Sequence, residues 1–78
     1  MSAAGDDVAM RLSARNQLSG TVTEVVPGAV TTTVKVELAG GDIVTSSITK
    51  EAADDLGVQV GSAVTVIVKA SDVILGVD

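Results

Sequence analysis

Two short segments of the sequence each combine a cationic side chain with a hydroxyl group. Ser13-Ala14-Arg15-Asn16 precedes the first predicted strand, and Lys69-Ala70-Ser71 lies near the end of the chain. Both also offer backbone N–H groups. A tetrahedral dianion suits such donors because charged donors form short, strong hydrogen bonds with ionised acceptors. Arg15 offers a planar fork of donors and Lys69 a point charge. Spacing alone favours a simpler interpretation over an anion site, in which Arg15 and Lys69 are solvated charges that flank strands.

Composition argues against several other classes of function. The chain has no histidine and no cysteine, so the common bases, thiol nucleophiles and zinc ligands are missing. The acidic pairs Asp6-Asp7 and Asp54-Asp55 are interpreted as solvated surface charge. A net charge of -5 and the absence of aromatic residues disfavour nucleic acid, which is bound through cations and stacking. We therefore expect neither an enzyme, nor direct protein–metal ligands, nor a nucleic-acid partner.

The size of the chain predicts one small domain that associates with copies of itself. Residues 1–10 are expected to form a disordered leader and residues 11–78 a single domain. At 78 residues without cysteine, oligomerisation is the remaining way to stabilise so small a core. The chain is 46% hydrophobic, and apolar surface left exposed usually marks an interface. No apolar run reaches the ~20 residues of a membrane span, and no signal peptide is recognised. We therefore expect a cytoplasmic homo-oligomer.

Alternation of apolar and polar residues predicts an all-β fold with one short helix. The helix is expected over Lys50–Leu56, with Thr49 as its N-cap and Gly57 as its C-terminal stop. Five strands with one short helix between the third and the fourth match an OB-like barrel. A generic five-stranded barrel or sandwich is the alternative. The predicted strands share period-two alternation and cover Gln17–Val26, Val30–Leu38, Ile43–Ile48, Val64–Lys69 and Val73–Val77.

The ordered combination of short motifs resembles the Mop domain family, the molbindins. The resemblance extends from Leu12 to about Gly76 and is strongest at its two ends, Ser13–Gly20 and Lys69–Ser71. Between them lie matching motifs at Val36–Gly41, Ile48–Thr49, Leu56–Gly57 and Gly61–Ser62. The resemblance implies a five-stranded OB-like barrel. It also implies a homohexamer, a trimer of dimers, that binds molybdate or tungstate at sites between subunits. In such a site the opening and closing motifs can come from different subunits, so that Arg15 and Lys69 would meet across the interface.

The resemblance also implies roles for particular residues. Arg15 and Lys69 would neutralise charge, and Ser13 and Ser71 would donate from hydroxyl or backbone groups. Backbone N–H groups of Ala14, Arg15 and Ala70 would add donors, while Asn16 is expected to hold the loop. The Thr49 hydroxyl or amide would either bind the oxyanion or only cap the helix. A secondary oxyanion site on the threefold axis would use the first hairpin, at Gly28, Ala29 and Val30.

The family resemblance implies intracellular storage and homeostasis of the oxyanion. The alternative is a molybdate-responsive interaction or regulatory module, in which the oxyanion is a signal and another protein is the target.

Overall fold

The computed structural model describes residues 11–78, so the predicted leader over residues 1–10 lies outside the described part. Within it, the chain is mostly β-structure with one short α-helix, as predicted. The elements in chain order are β1 (Asn16–Pro27), β2 (Thr31–Leu38), β3 (Ile43–Thr49), α1 (Lys50–Leu56), β4 (Ala63–Val68) and a 3-10 turn (Ala70–Asp72). No helix in residues 11–78 is long and apolar enough to cross a membrane.

The long strand β1 organises the sheet, whose order is β3-β2-β1-β4 with antiparallel neighbours. Its first half pairs with β4, from Asn16 opposite Val68 onward. Its second half pairs with β2 and ends with Pro27 opposite Thr32. The β1–β2 register shifts between Val22 and Glu24, and such a bulge bends a strand and increases its twist. The sheet therefore curls into a half-barrel with β3 and β4 as its edges.

The concave side of this sheet carries the core. Val22, which is 1% exposed, packs with Val34 and Val36, and partly buried side chains from the other elements surround them. The alternation predicted for β2 is confirmed, since Thr32 is buried on the same face while Lys35 and Glu37 are exposed. Valine side chains bury little area each, so this core is small.

One residue of the predicted β2 face is placed differently. Val30 was expected to share the buried face but lies in the turn before β2 and is 74% exposed. The turn begins at Gly28, whose N–H donates to the Thr31 carbonyl at 2.8 Å. This hydrogen bond closes the hairpin tightly, so the strand starts one residue after Val30 and its side chain is left outside the core.

The predicted ends of the helix are confirmed. The Thr49 hydroxyl oxygen accepts a hydrogen bond from the Ala52 N–H at 3.0 Å. Gly57 adopts a φ of 66° and its N–H donates to the Ala53 and Asp54 carbonyls. That left-handed conformation favours glycine because it has no Cβ. Both local signals in the sequence therefore fix α1 at its predicted bounds.

The predicted fifth strand, Val73–Val77, is not a strand in the described chain. After β4 the backbone enters the 3-10 turn and then continues without a sheet partner to Asp78. Ile74, Leu75 and Val77 are 93%, 88% and 98% exposed. A strand needs a neighbouring edge for its backbone hydrogen bonds, and this segment finds none in residues 11–78. The observed architecture is thus a four-stranded half-barrel rather than a closed five-stranded barrel.

Candidate oxyanion-binding site

The pairing of β1 with β4 brings the two cation-hydroxyl segments to one end of the sheet. Asn16 is the first residue of β1 and lies opposite Val68, the last residue of β4. The Asn16 side-chain amide also donates to the Val68 carbonyl at 3.1 Å. Arg15 and Lys69 are the next residues outward on the two strands. The family resemblance implied that the two segments can come from different subunits, whereas here they adjoin within one chain. The sequence alone could not show this, because strand pairing depends on the whole topology.

The opening segment is anchored by its middle residue. Ala14 is buried, and its carbonyl accepts a hydrogen bond from the Gln17 side chain at 3.4 Å. Its neighbours Ser13 and Arg15 are exposed. A buried residue between two exposed ones holds the backbone while leaving a hydroxyl and a guanidinium accessible. Asn16 holds the segment through its hydrogen bond to Val68, as expected for it.

The closing segment forms the start of the 3-10 turn. The Lys69 carbonyl accepts from the Asp72 N–H at 2.9 Å, and the Ala70 carbonyl accepts from the Val73 N–H at 3.3 Å. The first N–H groups of a helical turn have no partner within the turn, so the amides of Ala70 and Ser71 are available donors. Lys69 and Ser71 are themselves exposed.

The charge of these two cations is not neutralised by an ion pair within the described chain. The ion pair between residues 11–78 joins Lys35 and Glu24 on the β2 and β1 strands, at 3.9 Å. This ion pair is exposed and lies between β1 and β2, away from the β1–β4 end that carries Arg15 and Lys69. The described residues hold no group of three or more His, Cys, Asp or Glu that could bind a metal ion. The Arg15 and Lys69 side chains at this end of the sheet are therefore two exposed cations without an ion pair among residues 11–78.

Thr49 lies at the opposite end of β1 from this pair of segments. Thr49 pairs with Thr31 of β2. The next residue of β2, Thr32, pairs with Pro27, which is the last residue of β1. The residue after Thr49, Lys50, donates its N–H to the Val30 carbonyl at 2.9 Å. The structure therefore places Thr49 beside the hairpin residues Gly28, Ala29 and Val30. The full 12-residue length of β1 separates this group from Arg15.

Two concave regions of the described chain lie away from Arg15 and Lys69. An open groove of about 220 Å³ lies between β3 and β4 and has mostly apolar walls. A shallower depression is lined by Ser19, Gly20, Thr21, Glu37, Leu38 and Ala39. Binding sites for small ligands usually bury most of the ligand. With respect to residues 11–78, the cation-hydroxyl end of the sheet is thus an open surface.

The chain is a small β-domain in which Arg15, Lys69 and two serines lie at one end of the sheet, and comparisons with known proteins identify its family. Residues 12–75 match the TOBE domain model. Molybdenum-pterin-binding protein 3 of Clostridium pasteurianum is 48% identical over 66 residues, covering 85% of this chain and 97% of the relative. The chain belongs to the TOBE domain family, and the predicted resemblance to molybdenum-pterin-binding Mop proteins is confirmed.

Two solved structures share the fold. The ligand-free structure of MopII from Clostridium pasteurianum superposes with a TM-score of 0.81 at 42% identity, covering 86% of this chain and all of that chain. ModG, described as a cytoplasmic molybdate-binding protein and solved with molybdate bound, gives a TM-score of 0.86 at 48% identity. The match covers 94% of this chain and 52% of the ModG chain. The half-barrel is therefore the chain fold of a family with molybdate-binding members.

Proposed function

We propose that this protein binds molybdate or tungstate through Ser13, Ala14, Arg15, Lys69, Ala70 and Ser71. The observation that carries the proposal is the β1–β4 pairing, which places the two cation-hydroxyl segments side by side. The hydrogen bond from Asn16 to Val68 joins the two strands at this point. The molybdenum-binding relatives and the molybdate-bound ModG structure support the choice of ligand.

The donor set suits an oxyanion that only accepts hydrogen bonds. Arg15 and Lys69 together supply two positive charges, which match a dianion, and hydroxyl and backbone N–H groups complete the shell. Phosphate keeps a proton for part of the time near neutral pH, and that proton needs an acceptor. Arg15, Lys69 and the backbone N–H groups cannot accept it, which leaves only the serine hydroxyls as acceptors, and an unsatisfied polar group costs about 1–3 kcal/mol. Sulfate is not excluded on these grounds, so the size of the site must distinguish it.

We further propose that the complete site lies between subunits of a homo-oligomer, a hexamer built as a trimer of dimers. Arg15 and Lys69 lie on an open surface of one chain, whereas Thr49 is at the far end of β1. A site that contains all three therefore takes Thr49 from a second chain. The hairpin residues Gly28, Ala29 and Val30 adjoin Thr49 and are kept as a proposed secondary oxyanion site. Storage and buffering of the oxyanion in the cytoplasm is the biological role that we propose.

Isothermal titration calorimetry on the assembled protein tests the ligand and its main contacts. Molybdate and tungstate should bind saturably, and phosphate should bind far more weakly. A hydrogen bond to a charged group contributes about 1.5–3 kcal/mol, so Arg15→Ala or Lys69→Ala should weaken binding at least tenfold. Lys35→Ala is the matched control because it removes an exposed cation from β2, away from the site. Absence of molybdate binding, or an equal loss in the control, would overturn the proposal.

Mixing two defective chains tests the position of the site between subunits. In a two-chain assembly with symmetric sites, Arg15→Ala chains and Thr49→Asp chains leave one intact site in each mixed pair. Random mixing of equal amounts should then restore about a quarter of the wild-type sites, since half of the pairs are mixed and the interface is twofold. If all ligands came from one chain, mixing would restore no tight sites.

A further inference from the structure

The segment before β1 is attached to the sheet by side chains and not by its own backbone. In the described part of the chain, no backbone–backbone hydrogen bond outside the helix and the strands involves residues 11–15. Two neighbouring side-chain amides take their place. Asn16 donates to a carbonyl of β4 at 3.1 Å, and Gln17 donates to the Ala14 carbonyl at 3.4 Å. The conformation of this segment therefore depends on these two amides and on the burial of Ala14.

Gln17 is an exposed residue of β1 whose side chain turns back along the chain. Its backbone pairs with Ile67 of β4, while its amide reaches the carbonyl three residues earlier, at Ala14. Ala14 is 7% exposed, and a buried carbonyl needs a hydrogen-bond partner. The amide provides that partner, so the Ala14 carbonyl is directed toward the Gln17 side chain.

This contact also sets the direction of the next N–H group. The Ala14 carbonyl and the Arg15 N–H belong to one planar trans peptide, in which the two groups point in opposite directions. With the carbonyl on the Gln17 side, the Arg15 N–H is directed away from Gln17. Among residues 11–78 this N–H has no hydrogen-bond acceptor. It is a donor of fixed direction beside the exposed guanidinium of the same residue.

We propose that Gln17 is a positioning residue of the oxyanion site, which holds the Ala14–Arg15 peptide with its N–H toward the oxyanion. Gln17 acts through this peptide and does not itself contact the oxyanion. If the peptide turned over, the Ala14 carbonyl would face the site, and a carbonyl cannot donate to a dianion that only accepts hydrogen bonds. The hydrogen bond from Gln17 disfavours that arrangement. It also polarises the peptide, because connected hydrogen bonds strengthen one another.

The inference rests on the proposed function, since the Arg15 N–H is one of the proposed donors, and calorimetry with molybdate is its first test. Gln17→Met keeps the length of the side chain and removes both of its N–H donors. The dissociation constant should rise about two- to tenfold, the usual net effect of one hydrogen bond. Gln59→Met is the matched control, because it makes the same substitution at an exposed glutamine in the loop at the other end of β4. Its dissociation constant should equal that of the wild type.

Nuclear magnetic resonance separates positioning from direct contact and from a general loss of structure. The chain has three side-chain amides, on Asn16, Gln17 and Gln59, so their signals can be assigned by substitution. Without ligand, Gln17→Met should move the Ala14 carbonyl carbon signal upfield, because that carbonyl loses its donor, and Gln59→Met should leave it in place. When molybdate is added to the wild type, the Arg15 N–H proton should move downfield while the Gln17 side-chain signals stay unchanged.

Three results would overturn the inference and leave the proposed function standing. They are equal molybdate affinity in Gln17→Met and Gln59→Met, an unchanged Ala14 carbonyl signal in ligand-free Gln17→Met, and movement of the Gln17 side-chain signals on binding, which would make Gln17 a ligand. Failure of the wild type to bind molybdate would instead remove the proposed function and the role of the Arg15 N–H with it. The ligand-free carbonyl signal would still show whether Gln17 holds the peptide, so the two failures are distinguishable.

Discussion

Thr49 offers a prediction that separates a structural role from a ligand-binding role at one position. Its hydroxyl oxygen accepts from the Ala52 N–H at 3.0 Å, which satisfies one of the free donors at the start of α1. The hydroxyl proton is still free to donate to an oxyanion. Aspartate caps helices at least as well as threonine, but it has no proton to donate near neutral pH and it carries a negative charge. Thr49→Asp should therefore preserve the cap and damage the proposed site, whereas Thr49→Ala should remove the cap.

The magnitudes of the two effects are different enough to measure. Loss of an N-cap side chain costs about 1 kcal/mol, and a domain of this size loses roughly 4–8 °C in melting temperature per kcal/mol. Thr49→Asp should melt within a few degrees of the wild type. A carboxylate and a dianion separated by about 5 Å repel each other by about 1.7 kcal/mol even in the dielectric of water. Thr49→Asp should therefore weaken molybdate binding by more than tenfold.

The assay is thermal unfolding at one fixed chain concentration, because the stability of an oligomer depends on concentration, together with calorimetry against molybdate. Thr49→Ser keeps the hydroxyl and is the control for both measurements. Wild-type affinity in Thr49→Asp would refute a place for Thr49 beside the oxyanion. An unchanged melting temperature in Thr49→Ala would instead refute the argument from the cap.

The remaining predictions concern glycines and are measured by thermal unfolding in the same way. A Cβ on Gly20 would lie 2.9 Å from the Glu37 carbonyl and 2.5 Å from Val36 Cγ1. Gly20→Ala should therefore lower the free energy of unfolding by about 1–2 kcal/mol. The steric overlap of the new Cβ outweighs the stabilisation from the reduced conformational entropy of the unfolded chain. Gly40→Ala meets nothing closer than 3.9 Å and should be neutral or slightly stabilising; equal losses in the two variants would contradict the packing argument. Gly57→Ala should cost about 1 kcal/mol because its φ is 66°, and Gly57→Asn should cost less, as asparagine tolerates this conformation.

The features that could be predicted from the sequence are those specified by nearby residues. The alternation of β2 and the bounds of α1 follow from side-chain pattern, Thr49 and Gly57, and all are confirmed. Val30 and Val73–Val77 continue an alternating pattern but do not lie in strands. A pattern indicates which face would be buried, but the partner that buries it must come from elsewhere in the fold or from another chain. The same limit applies to the site, where the adjacency of Arg15 and Lys69 depends on the pairing of two strands distant in sequence.

Among residues 11–78, the core is open between β3 and β4, and the cation-hydroxyl end of the sheet is exposed. If Thr49 of a neighbouring chain completes the proposed site, the oxyanion binds to the assembly and not to the separate chain. A ligand that binds only the assembled state stabilises it by RT ln(1 + [L]/Kd). Such coupling would explain how a small valine core without disulfides or aromatic residues remains folded: the bound dianion stabilises the assembled state and offsets the repulsion between Arg15 and Lys69.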